Sequence, residues 1–246
     1  MPQKKTSSRH QPRGLVILYE DRDILVVNKS PGLLTMGTEK EKENTAYYRL
    51  TDYVRKGNAK SRKRVFIVHR LDRDVSGVLV FAKTHEAKQC LQGQWEDAEK
   101  IYLAVVYGTP AEKAGTISTY LAENKALVTY STSDRTKGKL SHTAYKVLKE
   151  TKRFSLLEIG LLTGRKNQIR AHLSEIGHPI VGDGKYGKKD KAHKRLALHA
   201  KSLSFKHPFS GKPLTFTAPP PRCFDQLMGD SELDPGARSR ISQSTS

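Results

Sequence analysis

Short apolar runs rich in β-branched and aromatic residues recur along the chain, and turn-forming residues separate them. Their lengths are typical of strands rather than of helices. The runs lie at residues 15–19, 24–28, 65–68, 78–82, 101–107, 117–121, 126–130, 143–148, 154–162, 203–206 and 214–217. So many strands in a chain of 246 residues restrict it to folds built around a large sheet.

Helical patterns are fewer than strand patterns and do not alternate with them. Helices are predicted at residues 45–54, 84–98, 167–176 and 222–228. Thr84 is the expected N-cap of the second helix, and Gly177 is expected to end the third. The sequence therefore predicts the α+β class, with a mixed, mainly antiparallel sheet and flanking helices.

Both ends of the chain lack the apolar runs that a core requires. Residues 1–13 are basic and residues 230–246 are small and polar, so both are expected to be disordered tails. Residues 14–229 are expected to form one domain. Cys90 and Cys223 stand alone, and no apolar run reaches membrane-spanning length, so a reducing, cytoplasmic location is expected.

The charge balance indicates a polyanionic partner. The chain has 44 Lys and Arg against 25 Asp and Glu, a formal net charge of +19. A protein that neutralises phosphates releases condensed counterions, which favours RNA or DNA as the partner. One basic cluster, at residues 55–64, precedes the strand at 65–68; a merely solvated surface is the alternative for any single cluster. Charge alone does not distinguish RNA from DNA.

The densest group of reactive side chains lies in the predicted loop between the strands at 65–68 and 78–82. It contains His69, Arg70, Asp72, Arg73 and Asp74. Loops held by a rigid scaffold can both expose and position such groups. Two interpretations are open: a structural Arg–Asp pair, or a reactive carboxylate held by a neighbouring guanidinium.

A second cationic group lies at the start of the predicted helix 167–176. Arg165, Lys166 and Arg170 stand where unpaired backbone N–H groups already attract anions, so a phosphate or carboxylate is a suitable partner. A solvated cationic helix face is the alternative.

A nearby Gly-x-Gly-x-x-Gly segment at residues 182–187 is not a dinucleotide site. No amphipathic helix follows it, and no acid lies about 20 residues further on. These glycines are instead expected to permit a tight turn.

Taken together, the motifs resemble those of the RluA family of pseudouridine synthases, in the family's order from about residue 15 to residue 220. The matching segments are Asn28-Lys29-Ser30-Pro31-Gly32, His69-Arg70-Leu71-Asp72 with Ser76-Gly77, the strand at 100–108, Gly164-Arg165 with Gln168-Ile169-Arg170 and His172, Gly177-His178-Pro179-Ile180 with Gly182-Asp183 and Tyr186-Gly187, and Leu198-His199-Ala200.

The resemblance implies the pseudouridine synthase fold with a central RNA-binding cleft, and isomerisation of uridine in RNA without metal or organic cofactor. It implies that Asp72 is the catalytic carboxylate and that Tyr102 stacks against the target base. It also implies that Arg170 pairs with Asp72 and belongs to the substrate-binding residues. Arg70 is expected to occupy the space left by the displaced base, and Arg165 to bind substrate. Structured RNA is the expected partner of a monomer, with ribosomal RNA slightly favoured over transfer RNA.

The sequence departs from the family pattern at two places. Val75 replaces the usual threonine, and Lys166-Asn167 replaces a common Thr-His pair. The N-terminal RNA-binding module of many members is not expected here.

Two other functions stay open besides pseudouridine synthesis. They are a non-catalytic RNA-binding or ribosome-assembly factor with this fold, and a metal-dependent nuclease using Asp72, Asp74 and Asp183.

Overall fold

The fold is a single large sheet flanked by a few helices. A computed structural model describes residues 11–39, 41–58, 60–187 and 192–229. In chain order the elements are β1 (Leu15–Glu20), β2 (Ile24–Lys29), α1 (Ala46–Arg55), β3 (Phe66–Ile67), β4 (Ser76–Ala82), α2 (His85–Gly93), β5 (Glu99–Tyr107), β6 (Ala114–Glu123), β7 (Thr129–Thr132), β8 (Lys139–Glu150), β9 (Phe154–Leu161), α3 (Gln168–Glu175), β10 (Leu198–Lys206), β11 (Pro213–Thr217) and α4 (Cys223–Met228).

The strands form one sheet in the order β1-β2-β4-β10-β5-β9-β8-β6-β7, with β11 paired to β10 and β3 paired to β4. Neighbouring strands are antiparallel except for β4 and β10, which are parallel. The expected α+β class with a mixed, mainly antiparallel sheet is therefore confirmed.

Strand β4 forms the rigid centre of the sheet, because its two faces both carry core residues. All seven of its residues are buried. Leu79 and Phe81 belong to one hydrophobic cluster, whereas Val78 and Val80 belong to another. This alternation follows from the two-residue period of a strand. The loop before β4 therefore starts from a fixed base.

Close approach of β4 to β10 depends on one glycine. Gly77 has φ +116°, and a Cβ there would lie 2.2 Å from the carbonyl oxygen of Ala200. Only glycine has both the conformational freedom and the small size for this contact.

Several predicted elements have different bounds in the structure. Strands β6, β8 and β10 begin three, four and five residues earlier than expected, and two further differences have a local cause. The helix expected over residues 84–98 ends at Gly93, because residues 94–97 form a turn and β5 already begins at Glu99, where it pairs with β10. The strand expected at 126–130 lies at Thr129–Thr132. The side chain of Asn124 accepts hydrogen bonds from the backbone of Ala126 and Val128, which makes the preceding residues a turn.

The predicted tails fall almost entirely outside the described residues. Of residues 1–13, only 11–13 are described, and there the carbonyl of Pro12 accepts a hydrogen bond from Leu15. The tail at 230–246 lies wholly outside them. Within the described ranges, no helix combines the length and the apolar character needed to cross a bilayer.

Candidate active site

The five side chains that the sequence singles out line one cavity of about 480 Å³. Arg70 and Asp72 come from the loop between β3 and β4, and Tyr102 comes from β5. Arg165 lies in the segment that leads into α3, and Arg170 lies in the first turn of that helix. Sites for small organic ligands commonly measure roughly 300–1,000 Å³. The cavity is therefore large enough for one such ligand.

The loop that carries Asp72 is fastened on both sides of this residue. The Thr35 hydroxyl donates to the carbonyl of Leu71 at 2.8 Å and accepts from the Leu71 N–H at 3.1 Å. On the other side, the carbonyl of Arg73 accepts from the Gly32 N–H at 2.9 Å and from Lys29 Nζ at 3.0 Å. These contacts fix the backbone around Asp72 from the end of β2 and the segment that follows it.

Lys29 is a fully buried cation beneath this loop. Its ammonium also donates to the carbonyl of Leu33 at 2.8 Å. Burial lowers the pKa of Lys29 to about 8, although the negative charges of Asp74 and Asp72 oppose this shift. The sequence places Lys29 in a family-like motif without a role. The sequence did hold a signal for a special role of Lys29: it ends an apolar strand shortly before Pro31-Gly32.

Asp72 lies beside Arg170, as expected, but Arg170 has a closer partner. Arg170 Nη1 lies 3.4 Å from Asp72 Oδ2. The same guanidinium forms two shorter bonds to Asp183, with Nε to Oδ2 at 2.7 Å and Nη2 to Oδ1 at 2.8 Å. The Asp72 side chain is 36% exposed, whereas the Asp183 side chain is 0% exposed. Asp183 therefore holds the arginine, and Asp72 stays accessible from the cavity.

The electrostatics of the Arg170–Asp183 pair keep both groups charged. Burial alone raises the pKa of Asp183, but hydrogen bonds and charge from Arg170, with N–H donors from Tyr186 and Lys185, lower it overall. Burial likewise opposes the charge of Arg170, while Asp183, and then Asp72, raise its pKa. A bidentate pair of this kind fixes the plane of the guanidinium.

Tyr102 supplies an aromatic wall close to Asp72. It is buried in β5 opposite Ala200 of β10. Burial, and then the charge of Asp72, raise the pKa of Tyr102 above its ordinary value, so its phenol is neutral.

A second aromatic wall was not predicted. Trp95 and Lys100 line the cavity, and the His69 ring lies 4.5 Å from the Trp95 ring. His69 Nε2 accepts a hydrogen bond from the backbone of Val80 at 3.2 Å. Burial, and then the charge of Lys100, lower the pKa of His69 to about 3, so it is a neutral structural group. The only tryptophan of the chain was the signal that could have drawn attention to this wall.

The two departures from the family pattern both lie in the cavity wall. Val75 is buried in the core that supports the loop. Asn167 has a left-handed φ of 53°, which asparagine tolerates better than most residues. Its side chain does not cap α3 but accepts from Arg170 Nη1 at 2.9 Å. The asparagine is thus part of the support of Arg170.

Gln168 joins α3 to the sheet. Its carbonyl oxygen accepts from the Thr163 hydroxyl and from the backbone of Arg165, while its amide donates to the carbonyl of His142 and to Thr143. Both the oxygen and the nitrogen of the buried Gln168 amide therefore have hydrogen-bond partners.

Two of the expected substrate-binding arginines are exposed. Arg165 lies at the mouth of the cavity, and Arg70 lies in the facing loop.

The structure does not assemble the acids that the nuclease alternative requires. Among the described residues, Asp21, Asp23 and His207 are the group whose ligand atoms lie close enough for a metal ion, and Asp72, Asp74 and Asp183 do not form one. Asp21 Oδ2 already accepts hydrogen bonds from Tyr19 and from His207, at the end of the β1–β2 hairpin. Asp72 and Asp183 instead face one guanidinium.

Comparisons with known proteins agree on one family. A family model described as RNA pseudouridylate synthase matches residues 23–175. A protein named ribosomal large subunit pseudouridine synthase D from Zymomonas mobilis is 37% identical over 224 residues, covering 85% of this chain and 70% of the relative. An uncharacterized RNA pseudouridine synthase from Synechocystis is 35% identical over 232 residues, covering 87% of this chain and 68% of the relative.

Solved structures show the same fold. The human protein titled RNA Pseudouridylate Synthase Domain Containing 1 superimposes with a TM-score of 0.71 and 26% sequence identity. The superposition covers 90% of this chain and 89% of the human chain.

Proposed function

The chain belongs to the RNA pseudouridylate synthase family, and from this premise we propose that Asp72 is the carboxylate with which it isomerises uridine in RNA. The observation that carries the proposal is the position of Asp72. It is a partly exposed carboxylate in a cavity, beside an arginine whose orientation a second, buried aspartate fixes. In the same cavity Tyr102 offers an aromatic surface.

Pseudouridylation suits a site made of these side chains alone. The N1–C1′ bond of uridine breaks, the uracil turns, and a C5–C1′ bond forms. The proton on C5 is then lost and N1 gains one, so nothing is oxidised and no group leaves the nucleotide. Asp72 acts on the sugar in one of two ways: as a nucleophile towards C1′, as carboxylates do in retaining glycosidases, or as a base. Both routes require its carboxylate at the ribose.

A uridine inside structured RNA must leave its stack to reach Asp72. Extrusion costs about a few kcal/mol, and stacking of the base on an aromatic side chain returns roughly 1–3 kcal/mol. Tyr102 is the proposed stacking partner. Arg70, on the loop that carries Asp72, takes the space that the displaced base leaves, and Arg165 at the cavity mouth binds a neighbouring phosphate.

Arg170 is proposed to orient Asp72 rather than to touch the substrate. Its Nε and Nη2 are occupied by Asp183, so Nη1 is the nitrogen that faces Asp72 and Asn167. This arrangement holds the carboxylate while leaving one of its oxygen atoms for the ribose. The reaction then needs neither metal nor organic cofactor.

Ribosomal RNA is the substrate we favour, ahead of transfer RNA, for a monomeric enzyme in the cytoplasm. Support comes from the relatives named ribosomal large subunit pseudouridine synthase D, in Zymomonas mobilis and in Xanthomonas campestris. A non-catalytic RNA-binding or ribosome-assembly factor is the alternative, and the intact set of Asp72, Tyr102 and Arg170 argues against it.

Mapping of pseudouridines in total cellular RNA tests this function. Cells with the gene, without it, and with the Asp72→Asn variant are compared, with equal protein amounts in the first and third. We expect particular positions to lose pseudouridine without the gene and to stay unmodified with Asp72→Asn. Full modification in the variant strain would rule out the role of Asp72, and an unchanged map without the gene would favour the binding factor.

A further inference from the structure

A second cavity, of about 790 Å³, lies at the end of β4 opposite the active site. We call it the basic groove. Its lining consists of Glu20, Arg22, Tyr53, Val54, Lys56, Lys63, Arg64 and Lys83. Five of these side chains are cations and one is an acid. Nothing in the chemistry proposed for Asp72 uses them.

The single acid of the groove is already occupied. Glu20 Oε1 lies 2.8 Å from Lys83 Nζ, and Glu20 Oε2 accepts from the Tyr53 hydroxyl at 2.9 Å. In the described parts of the chain, the exposed side chains of Arg22, Lys56 and Lys63 have no carboxylate within ion-pair distance. Glu20 therefore neutralises Lys83, and the remaining cations of the groove present positive charge that its lining does not balance.

The walls of the groove are held in place by backbone contacts. Arg55 Nε donates to the carbonyl of Lys63 at 3.2 Å, which ties the segment after α1 back to the end of that helix. Lys56 ends α1 with a left-handed φ of 52°. The guanidinium of Arg64 lies 5.0 Å from the Phe66 ring. These contacts fix the backbone from which Lys56 and Lys63 project, and they place the guanidinium of Arg64.

From this geometry we propose that the basic groove binds the phosphate backbone of the RNA that flanks the target uridine. The inference rests on the proposed RNA substrate. An acidic protein is a poorer occupant, because protein interfaces have an apolar core and the apolar residue of this groove, Val54, is buried. Phosphates need only matching charge, which the groove supplies.

The groove and the active site lie on one continuous strand pair. Lys63 and Arg64 precede β3, which runs antiparallel to β4, and Arg70 follows β3 at the active-site cavity. Strand β4 has seven residues, so at about 3.3 Å per residue it separates Lys83 from the Asp72 loop by roughly 23 Å. An A-form RNA duplex rises less per base pair than the roughly 3.4 Å of DNA, so that distance corresponds to at least about seven base pairs. Only RNA longer than this on the groove side of the target reaches both sites.

Two RNA hairpins with the same uridine-containing loop test the proposal. One has a stem of about four base pairs, which is too short to span the estimated distance between the two sites. The other has a stem of about twelve base pairs, which is long enough to span it. The groove variant carries Lys56→Gln and Lys63→Gln. The matched control carries Lys139→Gln and Lys152→Gln, one exposed lysine at the start of β8 and one just after its end, and removes the same charge.

Affinities are measured by fluorescence anisotropy over a range of salt concentrations. For the long hairpin we expect the groove variant to bind about tenfold more weakly than the control, with a log–log salt slope shallower by about 2. For the short hairpin both variants should bind alike. Equal effects of the two variants on the long hairpin would overturn the proposal.

The experiment distinguishes a wrong proposal about the basic groove from a wrong proposal about the function. The groove is judged by binding alone, whereas the proposed function is judged by pseudouridine formation. Circular dichroism confirms that both double variants are folded before affinities are compared.

Discussion

Asp72 and Asp183 share one arginine but have different environments, and this difference assigns them different tasks. Asp183 is buried and bidentate, so it acts on Arg170, whereas Asp72 is partly exposed and can act on a ligand. A catalytic carboxylate must reach the substrate, and a positioning carboxylate need not.

Asp183→Asn is expected to destabilise the protein, because it leaves the buried Arg170 without its main partner. Breaking a buried ion pair costs about 3–5 kcal/mol in the free energy of unfolding. Urea unfolding measures the change, and Asp72→Asn serves as the comparison. That second variant should cost less than about 1 kcal/mol, because its ion pair is long and solvent-accessible. Similar losses in both variants would contradict the assignment.

Lys29 is expected to titrate near pH 8. Since its pKa falls from 10.5 in the unfolded chain to about 8 on folding, the unfolded chain holds the extra proton between those two pH values. Between these two pH values, the contribution of Lys29 to the free energy of unfolding rises by about 1.4 kcal/mol per pH unit. Below pH 8 Lys29 is charged in the folded protein, so the full cost of burying that charge lowers stability.

Comparison with Lys29→Met isolates this contribution. The difference in free energy of unfolding, native protein minus variant, should rise by about 3 kcal/mol from pH 8 to pH 10.5. A difference that does not change with pH would mean that Lys29 keeps its ordinary pKa.

At the scale of elements, the loop between β3 and β4 is ordered by a segment distant in sequence. Thr35 satisfies both backbone groups of Leu71, which is 36 residues away. The Asp72 loop therefore depends on the chain between β2 and α1 for its conformation.

Thr35→Val keeps the side-chain shape and removes both hydrogen bonds. Because two buried backbone groups of Leu71 then lack partners, we expect a loss of about 2 kcal/mol in stability and a lower kcat. Thr116→Val, on the exposed side of β6, is the matched control and should change neither. Unchanged kcat in Thr35→Val would show that the loop does not need this anchor.

Strand patterns predicted nearly every element, because the two-residue period and turn residues are local signals. The end of α2 and the start of β7 were wrong by several residues, since pairing with β10 and the Asn124 turn decide them. The motifs placed Asp72, Tyr102 and Arg170 in one cavity through family resemblance. The roles of Thr35 and Asp183 could not be predicted, because each depends on a contact across the fold.

At the scale of the whole molecule, the active site and the basic groove are joined by the central strand β4. Its parallel pairing with β10 brings together residues more than 120 positions apart, such as Ser76 and His199. Local periodicity carries no information about such a pairing. The net charge, by contrast, is a property of the whole chain that the sequence states directly.

The charge of +19 predicts that RNA affinity depends steeply on salt. With several phosphates neutralised, affinity for the long hairpin should fall at least about tenfold between about 50 and 200 mM salt, because counterion release is then less favourable. Fluorescence anisotropy of the native protein measures it. Affinity that is constant over this range would mean that phosphate contacts contribute little.

Tritium release from RNA labelled at C5 of uridine tests the central claim most directly, because the C5–H bond must break when pseudouridine forms. The native protein, Asp72→Asn and Asp74→Asn are compared under single-turnover conditions. Asp74 lies on the same loop but outside the cavity lining, so its variant removes the same charge as a control. We predict no detectable release by Asp72→Asn, with RNA affinity retained, and nearly native release by Asp74→Asn. Native release by Asp72→Asn would contradict the account.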